Sequence, residues 1–263
     1  MKILAINGSH HGTSGHLNTL LGFIGEGIRE EGGEFKVVTL STLKIERCLA
    51  CGACHRDNNP LRCVLSKKDD VASVFTKMAA ADLLIFATPV HVFGISSLLK
   101  TFLDRIYSTS DIHHFRVTRS GLFFHDVNEP VCSKPFVSLV CCDNLDAQMP
   151  VNARDYFRQY ARFMDAPLAG ELVRNAGELI GRSNDPAQLI RFPKIDLVLS
   201  AYRQCGRELV LQGRISKVTQ RHANQEIIPV PLFHLLKRNA AFKKVMVLKA
   251  QELFASTQPA VEN

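Results

Sequence analysis

No apolar run in these 263 residues approaches the roughly 20 that a membrane-spanning helix needs, so a helical membrane protein is excluded. The first apolar segment is only a strand's length and is not read as a signal peptide, so a cytoplasmic protein is expected. There is no internal repeat and no low-complexity tract. Tryptophan is absent and there are only four tyrosines. A glycine-rich loop follows the first strand, but no Gly-Lys-Ser/Thr completes a Walker motif. The Gly-x-Gly-x-x-Gly spacing of dinucleotide binders is missing as well.

What is present begins with a sizeable core. Apolar residues make up 46% of the chain, enough for one large domain or one domain with an appendage. Eight cysteines in a cytoplasmic chain point to metal or redox use before structural disulfides. Net charge is +7, and residues 211–249 hold all of it: Arg214, Lys217, Arg221, Lys237, Arg238, Lys243, Lys244 and Lys249 against Glu226 alone. Such a tail could meet nucleic acid, an acidic protein or a phosphorylated cofactor. A solvated helical surface is the preferred reading, and a nucleic-acid partner is not expected.

The organising stretch is the first twenty residues. Ile3 to Ile6 reads as a strand, Asn7-Gly8-Ser9 follows, and a Gly/Ser/Thr/His loop runs to Gly15 before a helix with Leu17, Leu20, Leu21, Ile24 and Ile28 on one face. Backbone amides and hydroxyls at a helix N-terminus favour an anion. Gly8, Gly12 and Gly15 allow close approach, and Ser9, Thr13 and Ser14 add donors. The loop suits one terminal phosphate; its bland alternative is a flexible polar turn.

Downstream, Phe35–Leu40 reads as a second strand, Lys68–Ala81 as a helix, Asp82–Ala87 as a buried strand stopped by Thr88-Pro89, and Leu98–Ile106 as a helix. Residues 108–133 form a long irregular segment. Phe136–Cys142 and Leu168–Val173 are the fourth and fifth strands, Asn152–Met164 is helical, and Asp185–Leu211 is mostly helix. Strands alternating with helices give an α/β fold, a doubly wound five-stranded parallel sheet of order 2-1-3-4-5. Its ligand would sit at the carboxyl ends of strands one, three and four. Residues 1–211 are taken as this domain and 212–263 as a basic helical C-terminal extension, with Ile227–Pro231 extended and Leu232–Phe254 helical.

Three segments resemble the NADPH-dependent FMN reductase group of flavodoxin-like proteins, and within it the iron-sulfur flavoproteins. They are Asn7-Gly8-Ser9 with the loop to Asn18, the ordered pattern from Asp82 to Arg105, and the compact cysteine motif followed by Lys68-Asp69-Asp70. The resemblance covers roughly residues 1–175 and implies FMN. It puts the phosphate at Ser9, His11, Ser14, Gly15, His16 and Leu17. Pro89, Val90, His91, Val92, Phe93 and Gly94 would line the ribityl chain and ring, and Cys142, Asp143 and Asn144 would approach the ring's polar edge. Arg is usual in the family where His11 stands, Asn-Thr where His16-Leu17 stands, and Tyr where His91 stands. With so few large aromatics a flavin would not be sandwiched. One face would stay open to a nicotinamide or flat acceptor, and a homodimer or higher oligomer is expected to cover it.

Cys48, Cys51, Cys54 and Cys63 follow a C-x2-C-x2-C-x8-C spacing that suits iron-sulfur or zinc chemistry. The resemblance implies a [4Fe-4S] cluster exchanging electrons with FMN; unoccupied thiols, a disulfide and zinc are the alternatives. His55 and Asp57 fall in the long gap. Cys132, Cys141, Cys142 and Cys205 read as small buried hydrophobes. His113, His114, Phe115, Phe123, Phe124 and His125 flank Ser120-Gly121 like the arms of a hairpin, a lid or dimer contact before a His-rich metal site. The expected function is an FMN-dependent NAD(P)H oxidoreductase passing electrons to a flavin, quinone or iron-sulfur acceptor, with a ferredoxin-like protein as a second possible donor. No catalytic side chain is assigned, since hydride transfer between nicotinamide and flavin needs none. The alternative is a non-catalytic electron carrier or redox sensor.

Overall fold

The structure is a computed structural model describing residues 1–56, 61–181, 185–228 and 239–255. It divides into two compact units, Met1–Ile227 and Ile228–Asn263. The first unit carries β1 (Lys2–Asn7), α1 (His16–Glu30), β2 (Glu34–Thr39), α2 (Val71–Ala80), β3 (Leu83–His91), β4 (Gly94–Ile95) and α3 (Ser97–Asp104). There follow β5 (Asp111–Val117), β6 (Phe123–Asp126), α4 (Glu129–Cys132), β7 (Phe136–Cys141), α5 (Val151–Phe163) and β8 (Leu168–Arg174). Four helices close it: α6 (Gly177–Gly181), α7 (Pro186–Arg191), α8 (Lys194–Gln212) and α9 (Lys217–Ala223). In the second unit the helix Ala240–Ala255 is capped by Asn239, whose Oδ1 accepts from the Ala241 amide at 2.9 Å. Asp57 and residues 229–238 of the expected extended and helical tail lie outside the described residues.

The main sheet has the order β2-β1-β3-β7-β8, every pairing among these five parallel. This is the flavodoxin-like order expected from the sequence. One strand is added to the expected five: β4 folds back antiparallel on β3, pairing Val90 with Ile95. The segment 108–133 is also more regular than expected. Its β5 and β6 form a separate antiparallel hairpin whose turn contains Gly121 at φ +73°, with the Thr118 amide donating to the Leu122 carbonyl at 2.8 Å.

Alternation along the strands sends Leu4, Ile6, Leu84, Phe86, Phe136 and Val140 to one face, into a core with Val74, Phe75 and Met78 of α2, Leu99 and Phe102 of α3, and Phe157 and Tyr160 of α5. Ile3, Ala5, Ile85, Val137 and Leu139 are also buried but fall outside that cluster, as do the buried residues of α1 and α8. α1 has glycine, Gly15, at its N-cap and no side-chain cap, an omission that costs only a few tenths of a kcal/mol. Burial of Leu17, Leu20, Leu21, Ile24 and Ile28, at roughly 1.5–3 kcal/mol each, outweighs it.

Against α8, α1 packs backbone to backbone. A Cβ on Gly27 would lie 1.9 Å from the Arg203 carbonyl oxygen, and one on Gly206 would lie 2.0 Å from that of Ile24. The unit does not end with α8. The Ile215 amide donates to the Ala169 carbonyl at 2.8 Å, and Asn224 of the segment after α9 bonds the edge of β8 through the Val173 amide at 2.8 Å. Arg174, buried, donates to the carbonyls of Ala223 at 3.1 Å and Gln225 at 2.6 Å. Residues 212–227 therefore belong to the sheet-bearing unit and not to a separate extension.

Gly206→Ala is expected to lower stability by about 3 kcal/mol or more in urea unfolding, because neither backbone can yield without separating the helices. Gly22→Ala on the exposed side of α1, with nothing within 4 Å, serves as the reference and should be neutral or slightly stabilising.

Candidate functional site

Three loops meet at the carboxyl ends of β1, β3 and β7. The first leaves Asn7, whose buried side chain donates to the Gly12 carbonyl at 3.2 Å and accepts from the Ser9 amide at 3.0 Å. Ser9 is buried, and its hydroxyl accepts from the His11 amide at 3.2 Å. Ser14 Oγ donates back to the His11 carbonyl at 2.9 Å. A short turn, Gly12–Ser14, with Gly12 at φ +58°, then delivers the chain to Gly15 and α1. A Cβ on Gly15 would meet the His11 Cβ at 3.1 Å and Ser9 Oγ at 3.2 Å. The first turn of α1 thus opens with no side-chain cap on the His16 and Leu17 amides, while the Asn18 amide closes back on the Gly15 carbonyl at 2.9 Å.

The third-strand loop is tied to the first by buried polar bonds. Ser96 Oγ donates to the Gly8 carbonyl at 2.7 Å and accepts from the Leu99 amide at 3.2 Å, capping α3. The Ser96 amide in turn donates to Thr88 Oγ1 at 2.9 Å. A Cβ on Gly8 would lie 2.7 Å from the Leu99 Cβ, so this position is closed to any other residue without movement of α3. Between β3 and β4, Val92 and Phe93 adopt φ +44° and +68° while standing 90% and 57% exposed. A β-branched residue in that region is strained, and the described residues leave Val92 almost bare and Phe93 more than half exposed.

The predicted residues group as follows. Ser9, His11, Ser14, Gly15 and His16 share the first loop and the start of α1. Leu17 is buried in the core, which leaves it only its backbone to offer. His91 stacks on His10 with ring centroids 5.3 Å apart, joining the first and third loops. Burial, then the nearby charges of His10 and His11, hold the His91 imidazole below its ordinary range. His16 Nε2 stands 3.9 Å from Asp143 Oδ1, joining the first loop to the fourth. The His16 ring rests over Gly181, where a Cβ would lie 2.3 Å from its Nδ1. Cys142 is buried, with Sγ 3.4 Å from Asn175 Oδ1 and 3.5 Å from the Asn144 carbonyl. Desolvation pushes its thiol up to about 11. Asp143 and Asn144 are exposed at the rim. Thr88 was read only as the stop of the third strand, and Ser96, Asn175 and Gly181 were not singled out from the sequence. Only Ser96 had a local signal, as a serine directly before a helical run.

The four clustered cysteines form a second locus. Cys48, Cys51, Cys54 and Cys63 line one small cavity with Leu65, Arg105 and Tyr107, and all four thiols are free. Desolvation raises the Cys54 thiol, and proximity to Cys63, Cys48 and Cys51 adds to it. Among the described residues no three His, Cys, Asp or Glu side chains converge closely enough to hold a metal ion. Arg105, 2% exposed, pairs with the buried Asp69 carboxylate and donates to the Glu46 carbonyl at 2.8 Å and to Cys63 Sγ at 3.3 Å. Its Nε is buried and finds no acceptor. The β5–β6 hairpin touches the same loop: His113 Nε2 lies 3.1 Å from the His55 carbonyl, and the His55 ring meets Tyr107 edge-on at 4.4 Å. Cys132, Cys141, Cys142 and Cys205 are buried away from this cluster, as expected. A separate groove of about 390 Å3, lined by Lys2, Glu34, Lys36 and Lys77, lies at the amino ends of β1 and β2, away from this chemistry.

Residues 1–123 match the sequence profile of the NADPH-dependent FMN reductase family. The chain is 35% identical over 107 residues to an iron-sulfur flavoprotein of Archaeoglobus fulgidus, a match covering 40% of this chain and 48% of that one. It is 36% identical over 105 residues to an iron-sulfur flavoprotein of Methanosarcina thermophila, covering 40% and 52%. The aligned region spans about half the length of these curated relatives. Among solved structures, an FMN-dependent NADH-azoreductase from Bacillus anthracis aligns with TM-score 0.56 at 13% identity, over 80% of this chain and all of that one. An NAD(P)H:quinone oxidoreductase from Methanothermobacter marburgensis aligns with TM-score 0.54 at 15% identity, over 80% and 98%. The resemblance read from the sequence therefore holds, and the solved structures carry the flavodoxin-like fold.

The strained turn yields a test. Val92→Gly is expected to raise stability in chemical denaturation by up to about 1 kcal/mol, since relief of a left-handed β-branched residue exceeds the entropy cost of glycine. An exposed residue of ordinary φ, such as Leu197 in α8, should lose stability on the same change.

Proposed function

We propose that this protein is an FMN-dependent NAD(P)H oxidoreductase, with FMN held where the β1, β3 and β7 loops converge. The observation that carries the reading is the uncapped N-terminus of α1 behind a loop already bonded to itself, with three histidines beside it. Amides of the first turn and the Ser9 hydroxyl, whose proton is uncommitted, receive the phosphate, and Ser14 joins them by exchanging its bond to the His11 carbonyl for one to the phosphate. His11 and His16 supply charge when protonated, replacing a permanent guanidinium. Pro89 to Gly94 border the ribityl chain and one edge of the ring. Cys142, Asp143 and Asn144 approach its polar edge. The exposed Val92 and Phe93 turn is the part of the chain left for the ring to cover.

Bound FMN supplies the hydride chemistry. The protein's task is orientation, and no side chain has to move a proton for nicotinamide-to-flavin transfer. The open side of the ring would admit NAD(P)H and then a flavin, quinone or iron-sulfur acceptor, and a second copy of the chain would cover it between turnovers. The four-cysteine cavity fits an iron-sulfur cluster in its donor chemistry: four free thiols, no carboxylate, and an orphaned buried N–H facing a need for an acceptor. Cys48, Cys51, Cys54 and Cys63 would hold a [4Fe-4S] group as an electron store beside the flavin. The iron-sulfur flavoprotein relatives support this reading. A non-catalytic carrier is the second reading, favoured by that same cysteine set.

Two measurements separate these readings and test the site. Anaerobic protein loaded with FMN should oxidise NADPH or NADH with multiple turnovers when a quinone is supplied; flavin that stays oxidised with both nucleotides would support the carrier. Calorimetric FMN affinity should strengthen as pH falls from about 8 to 6.5, because a phosphate dianion raises the pKa of neighbouring histidines and binding takes up protons. His91 acts in the opposite sense without FMN: its depressed pKa stabilises the fold above the ordinary His range, and that contribution is lost on acidification. His11→Gln should flatten the affinity profile. An affinity that ignores pH, or no heat of binding at all, would sink the phosphate assignment.

A further inference from the structure

The guanidinium of Arg105 sits where the two arms of the cysteine loop come together. Glu46 lies before Cys48, while Cys63 and Asp69 lie beyond Cys54, and one side chain from the end of α3 reaches all three. Asp69 holds the same junction from the other side, accepting the amides of Glu46 at 3.2 Å and Val71 at 3.3 Å. Apart from the short turn Ala53–His55, the described loop between these anchors has no regular structure. Its backbone ties include the Leu61 amide donating to the Cys54 carbonyl at 2.7 Å and the Ser66 amide donating to the Cys63 carbonyl at 3.0 Å. These bonds hold the backbone; the sulfur of Cys63, separated from Cys54 by the widest gap in the motif, is met by the Arg105 fork at 3.3 Å.

We infer that Arg105 is the positioning residue of the cysteine site: its fork fixes Cys63 as the fourth sulfur, and its buried charge offsets that of the four-thiolate group. This rests on the iron-sulfur reading given above. A planar five-donor fork can serve Asp69, Glu46 and Cys63 at once and keep Nε–H for a further acceptor; an ammonium cannot. The Nε–H, buried without a partner, would remain available to the group that these cysteines hold. Uptake of one electron by such a group adds one negative charge and breaks no bond. A desolvated cation in contact with a ligand sulfur stabilises the reduced form more than the oxidised one and raises the potential.

The test uses the full chain, reconstituted anaerobically with ferrous iron and sulfide, with FMN in place. Iron and acid-labile sulfide per chain are assayed after desalting. The midpoint potential is then read by EPR during titration with dithionite. Arg105→Lys keeps the charge but loses the fork, and should at least halve the retained iron. Arg105→Met with Asp69→Asn removes the buried pair together, so that no charge is stranded; its residual cluster should titrate at a more negative potential. Circular dichroism melts establish that both variants fold. Cys63→Ser, which leaves the Arg105–Asp69 pair intact, gives a reading independent of their folding and should likewise lose iron or shift the potential. Folded Arg105 variants with wild-type iron and potential would overturn the inference, as would a Cys63→Ser protein indistinguishable from wild type. A wild-type chain that retains no iron would instead sink the iron-sulfur reading, and the inference with it.

Discussion

The buried hydroxyl of Ser96 is the joint on which the mouth of the sheet depends. It donates to the Gly8 carbonyl and caps α3 in the same stroke, while the Gly8 amide is held by the Ala87 carbonyl at 2.8 Å. The first and third loops, more than eighty residues apart in sequence, are thereby locked in register with the parallel pairing of Asn7 and Ala87. Losing that hydroxyl would leave a buried carbonyl unsatisfied, at a cost of about 1–3 kcal/mol, and would free the loops relative to one another. Everything proposed for the ligand requires them to be fixed. A phosphate at one loop and a ring at the other can be gripped together only if the distance between them does not drift.

That joint also explains the strain nearby. β3 continues past Pro89 to His91, reverses through Val92 and Phe93, and pairs back as β4 before Ser96. With Thr88 Oγ1 receiving the Ser96 amide, the reversal has little chain with which to turn, and two non-glycine residues take left-handed backbone. Glycine at either position would be easier. A side chain kept at conformational cost, and left exposed, is better suited to contacting something outside the unit than to folding it.

The parallel sheet was legible because its central strands are buried on both faces and read as apolar runs: Leu83 to Ala87, and Phe136 to Cys141 interrupted only by Ser138, need no partner to be recognised. The order of strands followed from the alternation with helices, and Gly8 to Gly15 announced their place at a strand end. What the sequence hid was long-range. Arg105 and Asp69 belong to stretches that looked merely patterned, and only folding brings a guanidinium, a carboxylate and Cys63 into one buried contact. Gly27 and Gly206 looked like weak points in helices, although each is where the other helix's backbone passes. β4 is too short and too glycine-rich to declare itself, and Val92 and Phe93 run against every local preference.

The two loci differ in how they meet negative charge, and that difference is physical. At the cysteine cavity the cation is permanent, buried and already paired with Asp69, so its influence persists at any pH in which the protein is folded. At the mouth of the sheet the charges are conditional. His10, His11 and His91 crowd one another, and the His91 imidazole is biased toward neutrality by burial and by the other two. The FMN phosphate proposed for this site would meet imidazoles in place of a permanent cation. An arginine would bind the same anion more strongly but without discrimination between protonation states. Imidazole as a side chain changes charge in the range where cells operate, which a guanidinium cannot do.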